Sequence, residues 1–182
     1  LSSKFNNLVS LFTKILDRNG KVLYDIFVNQ KRTPVEFSEI PDYLKKATIS
    51  IEDKNFYTHQ GFDPTGYLRA VYNIIFKRKL QGGSTLTQQL VKKTLLTDDR
   101  TLIRKINEFI ITIQIEQKYS KDDILRMYLN EIPYGGTAWG VEAAAETYFG
   151  KKVKDLNLVE STFLAGLPQR PSTYSPYSST PK

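Results

Sequence analysis

Apolar residues recur at three- and four-residue spacing through most of the chain from Pro41 to Leu167, and each run is bounded by a residue that starts or stops helices. That pattern leaves room for little except a helical domain. Leu44, Ala47, Thr48 and Ile51 predict a helix that begins at Pro41 and runs out near Glu52-Asp53. Asp63 reads as an N-cap with Pro64 at the first helical position, opening a helix to about Leu80. Gly82-Gly83-Ser84-Thr85 predicts a loop, with Thr85 or Ser84 capping a helix through Leu90-Val91. Further helices are expected at 101–118, at 121–130 behind a Ser120/Asp123 capping box, at 137–149 closed by Gly150, and at 155–167. Upstream, Ile15 to Leu23 reads as two short strands around an Asn19-Gly20 turn. Pro168, Pro171, Pro176 and Pro181 mark a non-helical tail. The fold class expected is mainly α with a small N-terminal β hairpin.

The 182 residues suit one domain, or one with a small satellite lobe. No cysteine is present, which excludes a disulfide scaffold, a thiol nucleophile, an iron–sulfur cluster and a cysteine-based zinc site. The single histidine, His59, excludes histidine-rich metal sites. Its better use is an orienting hydrogen bond. The net charge is +7, and its distribution is uneven. Residues 1–50 hold 8 basic and 5 acidic side chains, residues 51–110 hold 10 and 6, and residues 111–182 hold 8 and 8. The surplus in the first 110 residues points to an anionic partner, a phosphate, a nucleic acid or an acidic membrane surface; a soluble protein of high pI is the plainer alternative. No apolar run reaches the ~18 residues of a membrane span, and nothing resembles a signal peptide.

Four places can carry chemistry. Glu52-Asp53 lies at an expected helix C-terminus. There the dipole and a neighbouring carboxylate should raise the pKa of one of the two, suiting a general base, although these two residues alone also describe a solvated helix end. The helix at 101–118 has Leu102, Ile103, Ile106, Phe109, Ile110 and Ile113 on one arc, with Arg104, Glu108, Ile111 and Ile115 opposite. It is therefore expected to be largely buried while carrying an Arg104/Glu108 pair, either as a helix-stabilising ion pair or as the lining of a cleft. Gly82 to Gln89 offers backbone amides, hydroxyls and side-chain amides, and Lys92, Lys93, Arg100, Arg104 and Lys105 follow. This is a donor set for a phosphate or pyrophosphate without the spacing of a Walker loop. The helix after Asp63 has Tyr67, Leu68, Val71, Tyr72, Ile74, Ile75 and Phe76 on one arc and ends in Lys77-Arg78-Lys79. Such a stripe fits a membrane interface or a core.

Glu52-Asp53-Lys54-Asn55-Phe56-Tyr57-Thr58-His59-Gln60-Gly61 resembles the E-D-x-x-F-x-x-H-x-G motif of the family 51 peptidoglycan glycosyltransferases. Gly83-Ser84-Thr85-Leu86-Thr87-Gln88-Gln89 and Arg104-Lys105-Ile106-Asn107-Glu108 resemble its next two blocks. Lys121 to Asn130 resembles its K-x-x-I-L-x-x-Y-L-N block, and Leu167 to Pro176 the last, from which Arg170 departs where a small residue is expected. The blocks occur in the family's order over about residues 15–177. The chain thus resembles the transglycosylase domain of a class A penicillin-binding protein or of a monofunctional relative.

The resemblance implies a lysozyme-like α fold of two lobes. Residues 1–37 would join an anchor to the domain, residues 38–177 would form the domain and 178–182 a tail. It implies lipid II and the growing glycan strand as substrates and inverting formation of a β-1,4 link. It also implies a place on the outer face of a bacterial cell membrane through an anchor preceding this sequence, and cell-wall synthesis proteins as partners. No nucleic acid is expected. Carried over by position, the resemblance makes Glu52 the base and Glu108 the second catalytic carboxylate, which either orients cations or binds a divalent metal, Mg2+ or Mn2+. Asp53, His59, Ser84, Thr85, Gln88, Gln89, Lys92, Arg100, Arg104, Lys105 and Asn130 would contact substrate. A lysozyme-like hydrolase or lytic transglycosylase, or a non-catalytic lipid II or membrane-binding module, are the alternatives. A hydrolase protonates a sugar leaving group with a raised-pKa acid and has no need of a cluster of cations beside its second carboxylate.

Overall fold

The computed structural model describes residues 13–16, 22–26, 31–64, 83–94, 96 and 101–169. The Asn19-Gly20 turn, the helix expected beyond Pro64, Arg100, Arg170 and the proline-rich tail lie outside the described residues.

Strands β1 (Thr13–Leu16) and β2 (Val22–Ile26) pair antiparallel, Thr13 opposite Ile26, with a register slip after Ile15. This is the expected hairpin. Six α-helices follow among the described residues: α1 (Asp42–Glu52), α2 (Leu86–Thr94), α3 (Leu102–Lys118), α4 (Lys121–Glu131), α5 (Val141–Phe149) and α6 (Leu158–Gly166). The protein is mainly α, and its caps are those the sequence encodes. Thr101 and Ser120 each accept the backbone N–H three residues on, at the heads of α3 and α4. Gly150 takes the left-handed conformation that closes α5.

Two expected helices start later than their periodicity suggests. The helix placed at 137–149 begins at Val141, because Pro133–Gly135 (β4) and Ala138–Trp139 (β5) form a hairpin first. Gly135 and Gly136, both at positive φ, supply its turn. Strand β5 also pairs in parallel with β3 (Lys31–Arg32), a union of distant segments with no local signal. The helix placed at 155–167 begins at Leu158, where Asn157 and Glu160 close a capping box.

The core is continuous. Leu44 of α1, Leu86 and Leu90 of α2, Leu125 and Leu129 of α4 and Leu164 of α6 are fully buried in it. Each such side chain contributes roughly 1.5–3 kcal/mol. α1 lies along α6, and α2 packs on both α3 and α4, so α2 is shared by everything described below.

Helix α3 overturns the expectation of a largely buried segment. Its inward stripe is Glu108, Thr112 and Ile115, all buried. Its apolar arc faces outward instead: Leu102 is 85% exposed, Ile103 72% and Ile106 59%, and Phe109 and Ile110 are also exposed. The periodicity defines the arc but not its side. The turn is decided by α2 and the loop at Gly61, which engage the polar stripe. Thr87 Oγ1 donates to Glu116 Oε1 over 2.5 Å, and Gly61 packs on Thr112 and Glu116.

Candidate active site

Glu52 is the last residue of α1. Asp53 leaves the helical conformation and closes the helix through its N–H to Ile49 O, so Glu52 stands at the helix end. It is half-buried. Gln89, in the first turn of α2, donates Nε2–H to Glu52 Oε2 over 2.9 Å. Tyr128 of α4, fully buried, donates its hydroxyl to Gln89 Oε1 over 3.2 Å. The other carboxylate oxygen, Glu52 Oε1, has no hydrogen-bond partner among the described residues. Burial raises the Glu52 pKa above its usual value; the Gln89 bond opposes this and the Asp53 charge reinforces it. The rise was expected from helix end and neighbour, and desolvation proves the larger cause.

Asp53, His59, Thr85 and Gln88, expected as substrate contacts, make hydrogen bonds within the protein, and each side chain is buried. Gly61 N–H donates to His59 Nδ1 over 3.1 Å, which leaves the proton on Nε2, facing both Asp53 oxygens at 2.9 Å. Asp53 Oδ2 accepts the Leu86 N–H at 3.0 Å, capping α2 from a distant part of the chain. Thr85 and Gln88 form the local half of the same cap, each side chain accepting the other's backbone N–H at 3.2 Å. Thr85 Oγ1 also donates to Gly61 O at 2.9 Å. These four residues are the bracket that fixes the head of α2, and so Gln89, against Glu52. Asn130 also bonds within the protein: its amide accepts from Val35 N and donates to Val35 O and Arg126 O, within 2.9–3.0 Å.

Of the remaining expected residues, Ser84 is exposed just before the cap, and Lys92 is exposed one turn beyond Gln89. Glu108 is 2% exposed and meets two cations: Arg104 Nη1 lies 3.4 Å from Oε2, and Lys105 Nζ bonds Oε1. Lys105 is half exposed, while Arg104 is mostly buried with its Nε–H unpartnered among the described residues. The cluster carries two positive charges against one negative. This suits Glu108 to orienting cations and fits it poorly to holding a metal. Both of its oxygens already face cations.

Sequence reasoning passed over Tyr128 as a site residue, along with Glu116 and Lys121. Glu116 joins Thr87 to Lys121, whose Nζ lies 2.7 Å from Oε2 and 4.7 Å above the Phe56 ring, tying α2, α3 and α4 together. The available signal was a tyrosine on the apolar face of α4, since a buried phenol ordinarily finds a polar partner.

The Penicillin-binding protein 1F of Bacillus subtilis is 47% identical over 165 residues, covering 90% of this chain and 23% of its own. The Penicillin-binding protein 1A of Clostridium tetani is 49% identical over 165 residues, covering 88% and 21%. The chain thus spans about a fifth of the length of these relatives. A crystal structure of Penicillin-Binding Protein 1A from Haemophilus influenzae aligns over 93% of the chain and 16% of its own, at TM-score 0.47 and 25% identity. The family model described as Transglycosylase matches residues 19–182, from the hairpin through both glutamates to the last residue, and the chain therefore belongs to the transglycosylase family, the family 51 glycosyltransferases.

Proposed function

We propose that this domain polymerises lipid II into β-1,4 glycan strands by a single inverting displacement. The observation that carries the reading is Glu52: one oxygen is held by Gln89, the other is buried without a partner among the described residues, and the pKa is raised by burial. A carboxylate so placed is suited to take a proton from a hydroxyl group. Glu52 removes the proton of the acceptor sugar's 4-hydroxyl as that oxygen attacks the anomeric carbon of the donor. The bond from that carbon to the diphosphate oxygen breaks, and its electron pair leaves with undecaprenyl pyrophosphate. That leaving group is already an anion, so it needs cations rather than a proton. Arg104 and Lys105, held by Glu108, supply them, with Lys92 and Arg100 as further contacts. No step is routed through a metal. A divalent ion enters this scheme only as a counter-ion brought on the diphosphate.

The outward apolar arc of α3 gives the reading its place. In water, that many exposed large side chains would forfeit roughly 1.5–3 kcal/mol each. Phe62 extends the arc, its ring centroid 6.3 Å from that of Phe109. We assign this surface to the outer leaflet of the cell membrane, where the substrate's lipid tail lies. Among the described residues no helix is long and apolar enough to cross a membrane.

The test is polymerisation of labelled lipid II in detergent by the wild-type chain and by Glu52→Gln. Polymer from the wild type alone, with both proteins folded, is the expected result. Equal polymer from the variant would remove Glu52 as the base.

A further inference from the structure

We infer that Tyr128 is a positioning residue for the base, acting through Gln89 to hold Glu52 Oε2 and leave Oε1 for the acceptor hydroxyl. The inference rests on the reading of Glu52 as base and gives a role to the tyrosine of the K-x-x-I-L-x-x-Y-L-N block, to which the sequence reading assigned none. A glutamine amide can stand either way round, and here both of its ends are decided. Tyr128 is wholly buried, and its hydroxyl makes a 3.2 Å contact with Gln89 Oε1. Burial, with the nearby charge of Glu52, pushes the Tyr128 pKa well up, so the phenol stays protonated and can donate. Gln89 must then present its NH2 to Glu52, at 2.9 Å. The reversed amide would set a carbonyl oxygen against a carboxylate. Without the phenol, the amide loses the contact that fixes its orientation.

Tyr128 sits on α4 and Gln89 on α2, and these helices pack together through the core. The bracket of Asp53, His59 and Thr85 fixes the head of α2, and Tyr128 fixes the side chain that this head presents. The titratable groups coupled to Glu52 are Asp53 beside it and the phenols Tyr128 and Tyr134. Asp53 in turn faces His59. Glu160, on the helix packed along α1, is engaged with Lys151 and the Asn157 backbone.

The experiment measures kcat, KM and the pH profile of kcat for lipid II polymerisation in Tyr128→Phe, Gln89→Ala and the double variant. Tyr128→Phe keeps the ring and removes the hydroxyl. It should lower kcat roughly five- to ten-fold, the order of one neutral hydrogen bond, with KM unchanged because Tyr128 does not touch substrate. The acid limb of the profile should move to higher pH, since the Gln89 bond that opposes the raised Glu52 pKa is weakened. In the Gln89→Ala background the loss of the Tyr128 hydroxyl should change kcat less than about two-fold, because the route to Glu52 is already cut. Additive losses, or an acid limb that stays in place, overturn the inference while Glu52→Gln remains inactive. Residual polymerisation by Glu52→Gln would instead overturn the base assignment, so the two failures are distinct. If Tyr128→Phe folds poorly, Gln89→Ala alone must still move the acid limb upward, and an unmoved limb there overturns the inference equally.

Discussion

Gly61→Ala is expected to damage this domain more than its position in a loop suggests. Gly61 sits at φ +83°, a backbone region in which an L side chain costs about 1 kcal/mol or more. A Cβ built there would lie 2.7 Å from Thr112 Cγ2 and 3.0 Å from Glu116 Cγ. Neither neighbour is free to yield. Thr112 is buried with its hydroxyl donating to Glu108 O over 2.7 Å, and Glu116 is held by Thr87 and Lys121. Overpacking of that kind adds about 1–3 kcal/mol, giving a loss of roughly 2–4 kcal/mol out of a total of order 5–15. Equilibrium unfolding in urea should show a midpoint lower by roughly 1–2 M. Gly136→Ala is the control, because Gly136 also has positive φ but nothing within 4 Å of a built Cβ, so it reports the backbone cost alone. The loss should reach activity as well. Gly61 O accepts from Thr85, and Gly61 N–H sets the His59 tautomer that faces Asp53 at the head of α2. A Gly61→Ala loss no larger than that of Gly136→Ala would refute the argument, since the loop would then move aside from α3 without strain.

Other outcomes follow from the same contacts. Glu52→Gln should be inactive and yet relatively more stable than the wild type at high pH. With the folded pKa raised above 4.5, the native state binds its proton more tightly than the unfolded state, so Glu52 lowers stability as pH rises through that window. Melting temperatures at about pH 4 and pH 8 should therefore show the variant gaining on the wild type at the higher pH, and a gain at the lower pH alone contradicts this. Lys105→Ala should cost no more than about 1 kcal/mol of stability, because the lysine is half exposed and Arg104 still pairs Glu108, while turnover falls roughly a hundred-fold. Thermal melts and lipid II turnover on the same preparation separate the two effects, and a variant that unfolds would make the pair structural. Replacing Ile106 and Phe109 together by Ser should leave the melting temperature nearly unchanged and weaken sedimentation with anionic liposomes; unchanged sedimentation would remove α3 from the membrane face.

What the sequence discloses and what it hides divide along a physical line. Helices and caps are local, and Ser120, Thr85 and Gly150 declare them through side-chain type and spacing. Glu52 is legible because a helix ends there and a carboxylate follows. Asp53, His59, Thr85, Gln88 and Asn130 were expected at the substrate, and their bonds within the protein were not foreseen, because sequence displays a polar group without displaying what it bonds. Only the folded chain shows Asp53 capping a helix that begins at Leu86 and Asn130 fastening Val35. The β3–β5 pairing was hidden for the same reason, being decided by partners far apart in the chain.

Helix α3 combines both cases. Its arc was readable but its orientation was not, because hydrophobic periodicity assumes that apolar faces turn inward. The inversion is understandable when its two faces are taken together. The inward stripe holds Glu108, which cancels one of the two charges of Arg104 and Lys105 and leaves the pair net positive for an anionic group. The outward arc offers apolar surface beside it. A ligand with an anionic diphosphate joined to a long hydrocarbon presents those two chemistries in the same succession. On the proposed reading, the helix that looks misoriented for a water-soluble core is oriented for an amphiphilic substrate at a lipid surface.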